Sequence, residues 1–137
     1  MTQSLLRGGC LCGSILYEIT GAPTKFYHCH CQRCRKATGT GHASNVLVEP
    51  GAIKWTKGET LLRSYKIPEA KRFTNVFCGN CGARLPRFVP ETGFIVVPAG
   101  SLDSDLPPLP QARIFWNSRA AWSCSDAALP VHAEYAT

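Results

Sequence analysis

The chain has 137 residues, of which 45% are hydrophobic, and a formal net charge of +6 at pH 7. This length fits a single domain over residues 1–137 with a buried core, and the ordinary apolar fraction excludes a disordered chain. No apolar run approaches the roughly 20 residues of a membrane span, and residues 1–9 lack the apolar segment of a signal peptide. We therefore expect a cytoplasmic protein without membrane association.

Short extended segments separated by turn residues dominate the predicted secondary structure. In chain order, the strand candidates are residues 14–19, 43–48, 52–55, 60–65, 73–77, 84–89 and 94–97. Glycines near their ends mark the turns. The helix candidate, residues 32–37, is short and begins inside a group of cysteines. Several short strands with frequent turns predict a mainly β domain.

Seven of the eight cysteines fall into three tight clusters. The clusters are Cys10 and Cys12, then Cys29, Cys31 and Cys34, and last Cys78 and Cys81. Spacings of one or two residues let thiolates share one metal ion, and tetrahedral zinc is the usual one. In a reducing compartment such clusters favour metal binding over disulfides. Seven thiolates and two zinc ions together contribute −3, which lowers the net charge to about +3.

The first and last cluster together predict a closed, four-thiolate structural zinc site on Cys10, Cys12, Cys78 and Cys81. Both clusters are followed by glycine, Gly13 and Gly82, which permits a positive φ and lets backbone N–H groups point at the sulfurs. This zinc would join distant segments of the chain and so contribute to folding. A free redox dithiol at Cys78 and Cys81 is the alternative.

The middle cluster predicts a second zinc, held by Cys29, Cys31 and Cys34, with one coordination position open for water or substrate. A fourth protein ligand would instead close this site and make it structural. His30 and His42 are the first candidates for that ligand, and His28 and Cys124 are the others. Cys124 lies near Trp122 and is more typical of a small buried hydrophobic residue.

Several motifs, in order over nearly the whole chain, resemble the glutathione-dependent formaldehyde-activating family. The motifs are residues 9–13 (GCLCG), residues 29–36 (CHCQRCRK) with Gly39, residues 72–82 from Arg72 to the CGNCG, residues 99–103 (AGSLD) and residues 119–122 (RAAW). The family also includes centromere protein V, which is associated with chromosomes and microtubules. The cysteine pattern is complete, and it is the most specific part of the resemblance.

The resemblance implies a β-tent fold with short antiparallel sheets. It also implies two zinc ions, a structural one on Cys10, Cys12, Cys78 and Cys81 and a second one on Cys29, Cys31 and Cys34. The implied activity is that of a zinc-dependent carbon–sulfur lyase, which condenses glutathione with formaldehyde to S-hydroxymethylglutathione. Glutathione or another thiol and a small aldehyde are then the substrates.

Glutathione carries two carboxylates, so its site should offer cations. Arg33, Arg35 and Lys36 lie beside the second cluster and are the first candidates for contacts with these carboxylates, followed by Lys71 and Arg72. A solvated basic face is the alternative for all five residues. Arg33 lies between two predicted ligands and could instead donate to their thiolates.

The competing hypothesis is a non-catalytic, zinc-stabilised module that binds protein or nucleic acid. Basic residues are scattered, with no run longer than Arg33-x-Arg35-Lys36, and the chain lacks an aromatic and basic motif of the RNA-binding type. Nucleic acid is therefore not an expected partner. A third class is thiol redox chemistry or metal storage. The sequence does not determine the oligomeric state.

Overall fold

The structure is a computed structural model and describes residues 4–109, 111–123 and 128–136. The strands are β1 Ser4–Gly9, β2 Leu16–Cys29, β3 Ala43–Lys57, β4 Leu62–Lys66, β5 Thr74–Cys78, β6 Arg84–Leu85, β7 Arg87–Val89, β8 Phe94–Pro98 and β9 Gln111–Ile114. The helix α1 spans Gln32–Thr38, and single 3-10 turns cover Glu59–Leu61, Ala99–Ser101 and Trp116–Ser118. The prediction of a mainly β fold is confirmed.

The strands form two sheets. The larger sheet has the order β1-β2-β3-β8-β7, and β9 pairs with the last four residues of β2. The smaller sheet has the order β4-β5-β6. All these pairs are antiparallel except that of β9 with β2, as expected for strands joined by short turns. The prediction of short antiparallel sheets is therefore confirmed, with β9 as one parallel addition.

The observed strand boundaries differ from the predicted ones in two ways. Two predicted strands are joined into one, and one predicted strand is divided into two. The segments predicted at 43–48 and 52–55 form the single strand β3, because its partner β2 has irregular pairing around Gly21 and Pro23 opposite Gly51. The segment predicted at 84–89 is instead divided at Pro86, which has no N–H to donate to a ladder. The strands β1 and β9 were not predicted, because they lack the alternation of polar and apolar residues.

The main core lies between the two sheets and is built from alternate residues of the central strands. Tyr17 and Ile19 on β2, Val46 and Val48 on β3, and Ile95 and Val97 on β8 are all buried, as period-two alternation requires. Leu85 of the smaller sheet and Cys78 belong to the same cluster. A second buried cluster contains Cys29, Cys34 and Ala43. Both buried clusters therefore contain cysteines that pack against other buried side chains.

The helix α1 is about two turns long and is defined by its caps. Cys31 is the N-cap residue, and its sulfur accepts the backbone N–H of Cys34 at 3.3 Å. Gly39 ends the helix at φ 71°, where a residue without Cβ is favoured. Among the described residues, no helix is long and apolar enough to cross a membrane.

The Tyr17 hydroxyl ties β2 to the 3-10 turn at Ala99–Ser101. It lies 2.6 Å from the Ser101 hydroxyl, and Gly8 lies so close that an added Cβ would collide with the Tyr17 ring. Burial raises the pKa of Tyr17 to about 12. The folded protein therefore holds this phenolic proton more tightly than the unfolded chain, in which the pKa of tyrosine is about 10.

We expect this difference to make the protein less stable in alkali. The stabilisation is complete below about pH 10 and is lost as the pH rises towards 12, because the unfolded chain then releases the proton first. Between about pH 10 and pH 12 the free energy of unfolding should fall by about 2 kcal/mol more in the wild type than in Tyr17→Phe. Urea denaturation at a series of pH values measures the slope of the free energy of unfolding against pH for both proteins. Equal slopes would contradict a raised pKa at Tyr17.

Candidate metal centres

The first group of cysteines comes from two segments that are far apart in the sequence. Cys10 and Cys12 lie in the turn between β1 and β2, Cys78 is the last residue of β5, and Cys81 follows in the next turn. Their four sulfurs lie within 4.8 Å of one another. The Cys10 to Cys12 distance is 3.6 Å and the Cys12 to Cys78 distance is 4.0 Å. A tetrahedron with zinc–sulfur bonds of about 2.3 Å has corners about 3.8 Å apart, so the four thiols fit a zinc ion.

Backbone and amide N–H groups surround these sulfurs. The Cys10 sulfur accepts from the N–H of Ile15 at 3.3 Å, and the Cys78 sulfur accepts from those of Asn80 and Cys81 at 3.3 and 3.4 Å. The Asn80 side-chain amide donates to Cys12 at 3.2 Å. Hydrogen bonds from Ser14 and Asn80 lower the pKa of Cys12 to about 5. These hydrogen bonds favour the thiolate of Cys12, the form that binds metal, whereas burial raises the pKa of Cys78.

The turns that hold these cysteines have the predicted glycine conformation. Gly13 and Gly82 both have φ 77°, and each directly follows the second cysteine of its pair. The N–H of Gly82 donates to the Cys78 carbonyl at 2.8 Å, which closes the turn. The prediction that glycine at these two positions permits a positive φ is confirmed.

The second group is assembled within a stretch of six residues. Cys29 is the last residue of β2, Cys31 caps α1, and Cys34 lies in its first turn. Their sulfurs also lie within 4.8 Å of one another. Cys29 and Cys34 are buried, whereas Cys31 is half-buried. The strand end and the helix start thus aim three thiols at one point, a set that fits three of the four positions around zinc.

Hydrogen bonding within this group differentiates the thiols. The hydrogen bond from Cys34 lowers the pKa of Cys29 to about 6, and the nearby Arg84 guanidinium also lowers it. The hydrogen bond to Cys29, together with burial, raises the pKa of Cys34. The group therefore favours the thiolate of Cys29 over that of Cys34 when no metal is bound, and a bound dication would stabilise both thiolates.

The histidines proposed as a fourth ligand form a separate cluster. The rings of His28 and His42 stack at 4.5 Å, and His30 lies 5.1 Å from His42 and from the Trp116 ring. Burial is the largest cause that lowers the pKa of both His28 and His30. Within the described ranges, no histidine, cysteine or carboxylate joins the three sulfurs as a fourth ligand. Cys124, the remaining candidate, lies outside the described residues.

A cavity of about 560 Å³ opens beside the three-cysteine group. All three cysteines line it, and its walls come from both sheets and from the segment after β9. Apolar side chains make up much of the wall, namely Leu47, Phe73, Phe94, Val96, Ile114 and Phe115. Exposed Gln32 and Arg33 also line it, which connects the cavity to solvent. This is the size and lining of a small-molecule site.

The predicted cationic contacts are distributed over several surfaces. Arg33 lines the cavity of the three cysteines, whereas Lys36 is exposed outside it. The Arg35 guanidinium donates to the Ser118 carbonyl at 3.0 Å and so ties α1 to the segment after β9. Lys71 and Arg72 line a different groove, described below. The structure thus brings Arg33 to the cysteines and leaves the other four elsewhere.

Three polar residues of the cavity were missed by sequence reasoning, namely Asn45, Arg84 and Arg87. Each lies on a strand that the sequence indicated only as extended, on β3, β6 and β7. Period-two alternation does not predict an inward-facing arginine, because charged residues are expected on the solvent face. The proximity of Arg84 and Arg87 to the CGNCG motif was the available signal.

The comparisons with known proteins agree with this arrangement. Residues 5–118 match the family described as glutathione-dependent formaldehyde-activating enzyme. The chain belongs to this family. The matched range contains both groups of cysteines, the cavity and nearly all strands of the two sheets. A comparison with curated proteins gives no match.

Among solved structures, the chain is similar to a protein of Rhodobacter sphaeroides determined by structural genomics. The two share 19% sequence identity with a TM-score of 0.53, over 77% of this chain and 99% of that one. At this identity the likeness concerns the fold alone. It shows that the family member described here has a β architecture also found in an experimentally determined structure.

Proposed function

We propose that this family member, a single domain over residues 1–137, is a cytoplasmic, zinc-dependent carbon–sulfur lyase-like enzyme. Its reaction would be the condensation of a thiol such as glutathione with formaldehyde or a related small aldehyde, to S-hydroxymethylglutathione in the case of glutathione and formaldehyde. The observation that supports it most strongly is the group of Cys29, Cys31 and Cys34 in the wall of the 560 Å³ cavity. Three ligands and an adjacent cavity are typical of catalytic zinc, whereas structural zinc has four protein ligands.

The proposal assigns different tasks to the two groups of cysteines. Cys10, Cys12, Cys78 and Cys81 would hold a structural zinc, and Cys29, Cys31 and Cys34 a second zinc. When bound to the second group, zinc would supply a positive charge that lowers the pKa of a substrate thiol from about 8.5 towards neutrality. The remaining requirements fall on the side chains of the cavity.

The addition itself conserves protons. The thiol sulfur bonds to the aldehyde carbon, the carbonyl electron pair moves to oxygen, and the proton lost by the thiol ends on that oxygen. Phe73, Phe94 and Ile114 would exclude bulk water and hold both reactants close together. Arg33, exposed beside the cavity, would contact a carboxylate of glutathione at the cavity entrance. The same contacts serve the reverse cleavage.

Exchange NMR spectroscopy tests the reaction. Zinc-loaded protein, glutathione and formaldehyde are mixed, and the rate of hemithioacetal formation and cleavage is followed from exchange cross-peaks. We expect the rate to rise in proportion to protein concentration. A rate equal to the uncatalysed one at every protein concentration would reject this reaction for the chain.

A non-catalytic binding module is the second candidate, and one surface favours it. A groove of about 440 Å³ between the sheets is lined by the basic residues Arg63, Lys66, Lys71, Arg72 and Arg87. Glu91 is the acidic residue in its lining. Such a groove suits an anionic segment of a partner protein. Pull-down of acidic peptides together with a salt-dependent gel shift on duplex and single-stranded DNA distinguishes the partners, and we expect no shift with nucleic acid.

A further inference from the structure

Two half-buried arginines line the cavity and are only partly hydrogen-bonded. Nη1 of Arg84 and Nε of Arg87 are both inaccessible to solvent and have no hydrogen-bond partner among the described residues. The same holds for Oδ1 of Asn45. All three residues line the cavity of the three cysteines. Because no solvent reaches these three atoms, a ligand in the cavity would contact the other parts of the two guanidinium groups, which line its wall.

One other nitrogen of each guanidinium group is hydrogen-bonded to the protein. Nε of Arg84 donates to Oδ1 of Asn75 at 2.8 Å, and Nη1 of Arg87 donates to the Arg72 carbonyl at 3.3 Å. Both guanidinium carbons lie within 6 Å of the centre of the Phe73 ring, at 5.9 and 5.8 Å. These contacts fix the orientation of two cations before any ligand binds, which lowers the entropic cost of binding.

No carboxylate of the described residues forms an ion pair with Arg84 or Arg87. The ion pair found among the described residues joins Arg7 and Glu18 on the surface. Burial is the main cause that lowers the pKa of both guanidinium groups, and for Arg87 the nearby Arg84 adds to the effect. Among the described residues, the charges opposite to these two partly desolvated cations are the cysteine thiolates and, for Arg87, Glu91, so an anion bound beside the guanidinium groups would stabilise the cavity. Ligand binding would supply that anion.

The neighbouring thiolates do not neutralise the arginines completely. Three thiolates with one zinc ion carry a formal charge of −1, whereas Arg84 and Arg87 carry +2. With Arg33 at the entrance, the cavity therefore retains a charge of +2 when its metal is bound, of which +1 lies at the two inner arginines. A carboxylate would offset that inner charge and would accept hydrogen bonds from the guanidinium N–H groups that face the cavity.

We propose that Arg84 and Arg87 form a carboxylate-binding subsite that selects thiols carrying a carboxylate. The inference rests on the proposed function, because the ligand is taken to be its thiol substrate. It differs from the sequence-based expectation, which assigned carboxylate contacts to Arg33, Arg35 and Lys36. The two half-buried arginines are specificity-determining residues, and the exposed Arg33 is an accessory contact.

Calorimetric titration of the zinc-loaded protein with small thiols, in the absence of aldehyde, tests this subsite. The probes are 3-mercaptopropionate, which carries a carboxylate, and 2-mercaptoethanol, which is neutral. We expect the dissociation constant of 3-mercaptopropionate to be at least about 10-fold lower, as for a charge-assisted pair of hydrogen bonds. Equal dissociation constants in the wild type would overturn the proposal.

Matched variants assign the preference to particular side chains. Arg84→Met and Arg87→Met should each reduce the preference for 3-mercaptopropionate to about twofold or less, and Arg84→Lys should retain part of it. Arg33→Met, at the accessory contact, should reduce the preference less than Arg84→Met does, and Arg63→Met, at an exposed arginine outside the cavity, should leave it nearly unchanged. A larger loss in Arg33→Met than in Arg84→Met would overturn the assignment. The ratio between two thiols is the readout, because a general loss of structure would weaken both.

A second measurement requires only the wild type. Propionate, which has no thiol, is titrated into protein with 15N-labelled arginine, and the Nε–Hε signals are followed by NMR. We expect the signals of Arg84 and Arg87 to shift and that of Arg63 to remain in place; unshifted signals would overturn the proposal. Neither titration contains aldehyde, so their results do not depend on the reaction. A negative exchange experiment would reject the reaction, and only negative titrations would reject the subsite.

Discussion

Replacing Cys78 by serine is expected to remove one zinc ion per chain and most of the stability of the fold. Cys78 is buried in the main core, and its sulfur lies 4.0 Å from that of Cys12, 66 residues earlier in the sequence. A metal at this site fixes the smaller sheet to the end of β1, so its loss releases a long loop. Structural zinc contributes on the order of 10 kcal/mol in small domains, which exceeds the stability of many of them.

Metal analysis and urea denaturation check this expectation. The zinc content should fall from two ions to one, and the variant should unfold without a cooperative transition or at a far lower urea concentration. Cys31→Ser, in the other group, is the matched control and should lose the other zinc ion while keeping a cooperative unfolding transition. A Cys78→Ser protein with two zinc ions and an unchanged midpoint would show that the four thiols hold no structural metal.

Replacing Cys31 by serine is expected to abolish the reaction while the fold persists. Cys31 is the N-cap of α1, and serine is among the best N-cap residues, because its hydroxyl accepts the same N–H of Cys34 that the sulfur accepts now. The three cysteines span only residues 29–34, so loss of their metal releases no long loop. The substitution therefore separates metal binding at the cavity from folding.

The expected result is a fall in zinc content from two ions to one, with catalysed hemithioacetal exchange reduced roughly 100-fold or more. The urea midpoint should change much less than in Cys78→Ser. Thiol titration supplies a second readout, since the two remaining cysteines of the group should become reactive before a chelator is added. Full exchange activity in Cys31→Ser would place the reaction elsewhere in the molecule.

Under the proposed function, the two groups of cysteines would divide stability and chemistry between them, and their surroundings support this division. Backbone N–H groups and the Asn80 amide enclose the four-cysteine group, and its partly buried members pack against the main core. The three-cysteine group faces a cavity with apolar walls and two fixed guanidinium groups. The first environment stabilises a filled coordination sphere, and the second leaves room for a reactant.

Much of this arrangement could be predicted from the order of residues along the chain. Cysteines separated by one or two residues are held close together by the backbone itself, so the clusters and the turn glycines Gly13 and Gly82 are local features. The helix at Gln32–Thr38 and most strands are also local, since caps and alternation specify them. These local features can be predicted from the sequence because only a few backbone torsion angles separate the residues that form them.

The tertiary structure alone decided which distant residues meet at the cavity. The approach of Asn45, Arg84 and Arg87 to Cys29 depends on how the two sheets pack and on the division of the predicted strand at Pro86. The position of His28, His30 and His42 in their own stack, away from the three sulfurs, depends on the pairing of β2 with β3. These contacts join elements far apart in sequence, and their geometry follows from the packing of the whole fold, which no local pattern encodes.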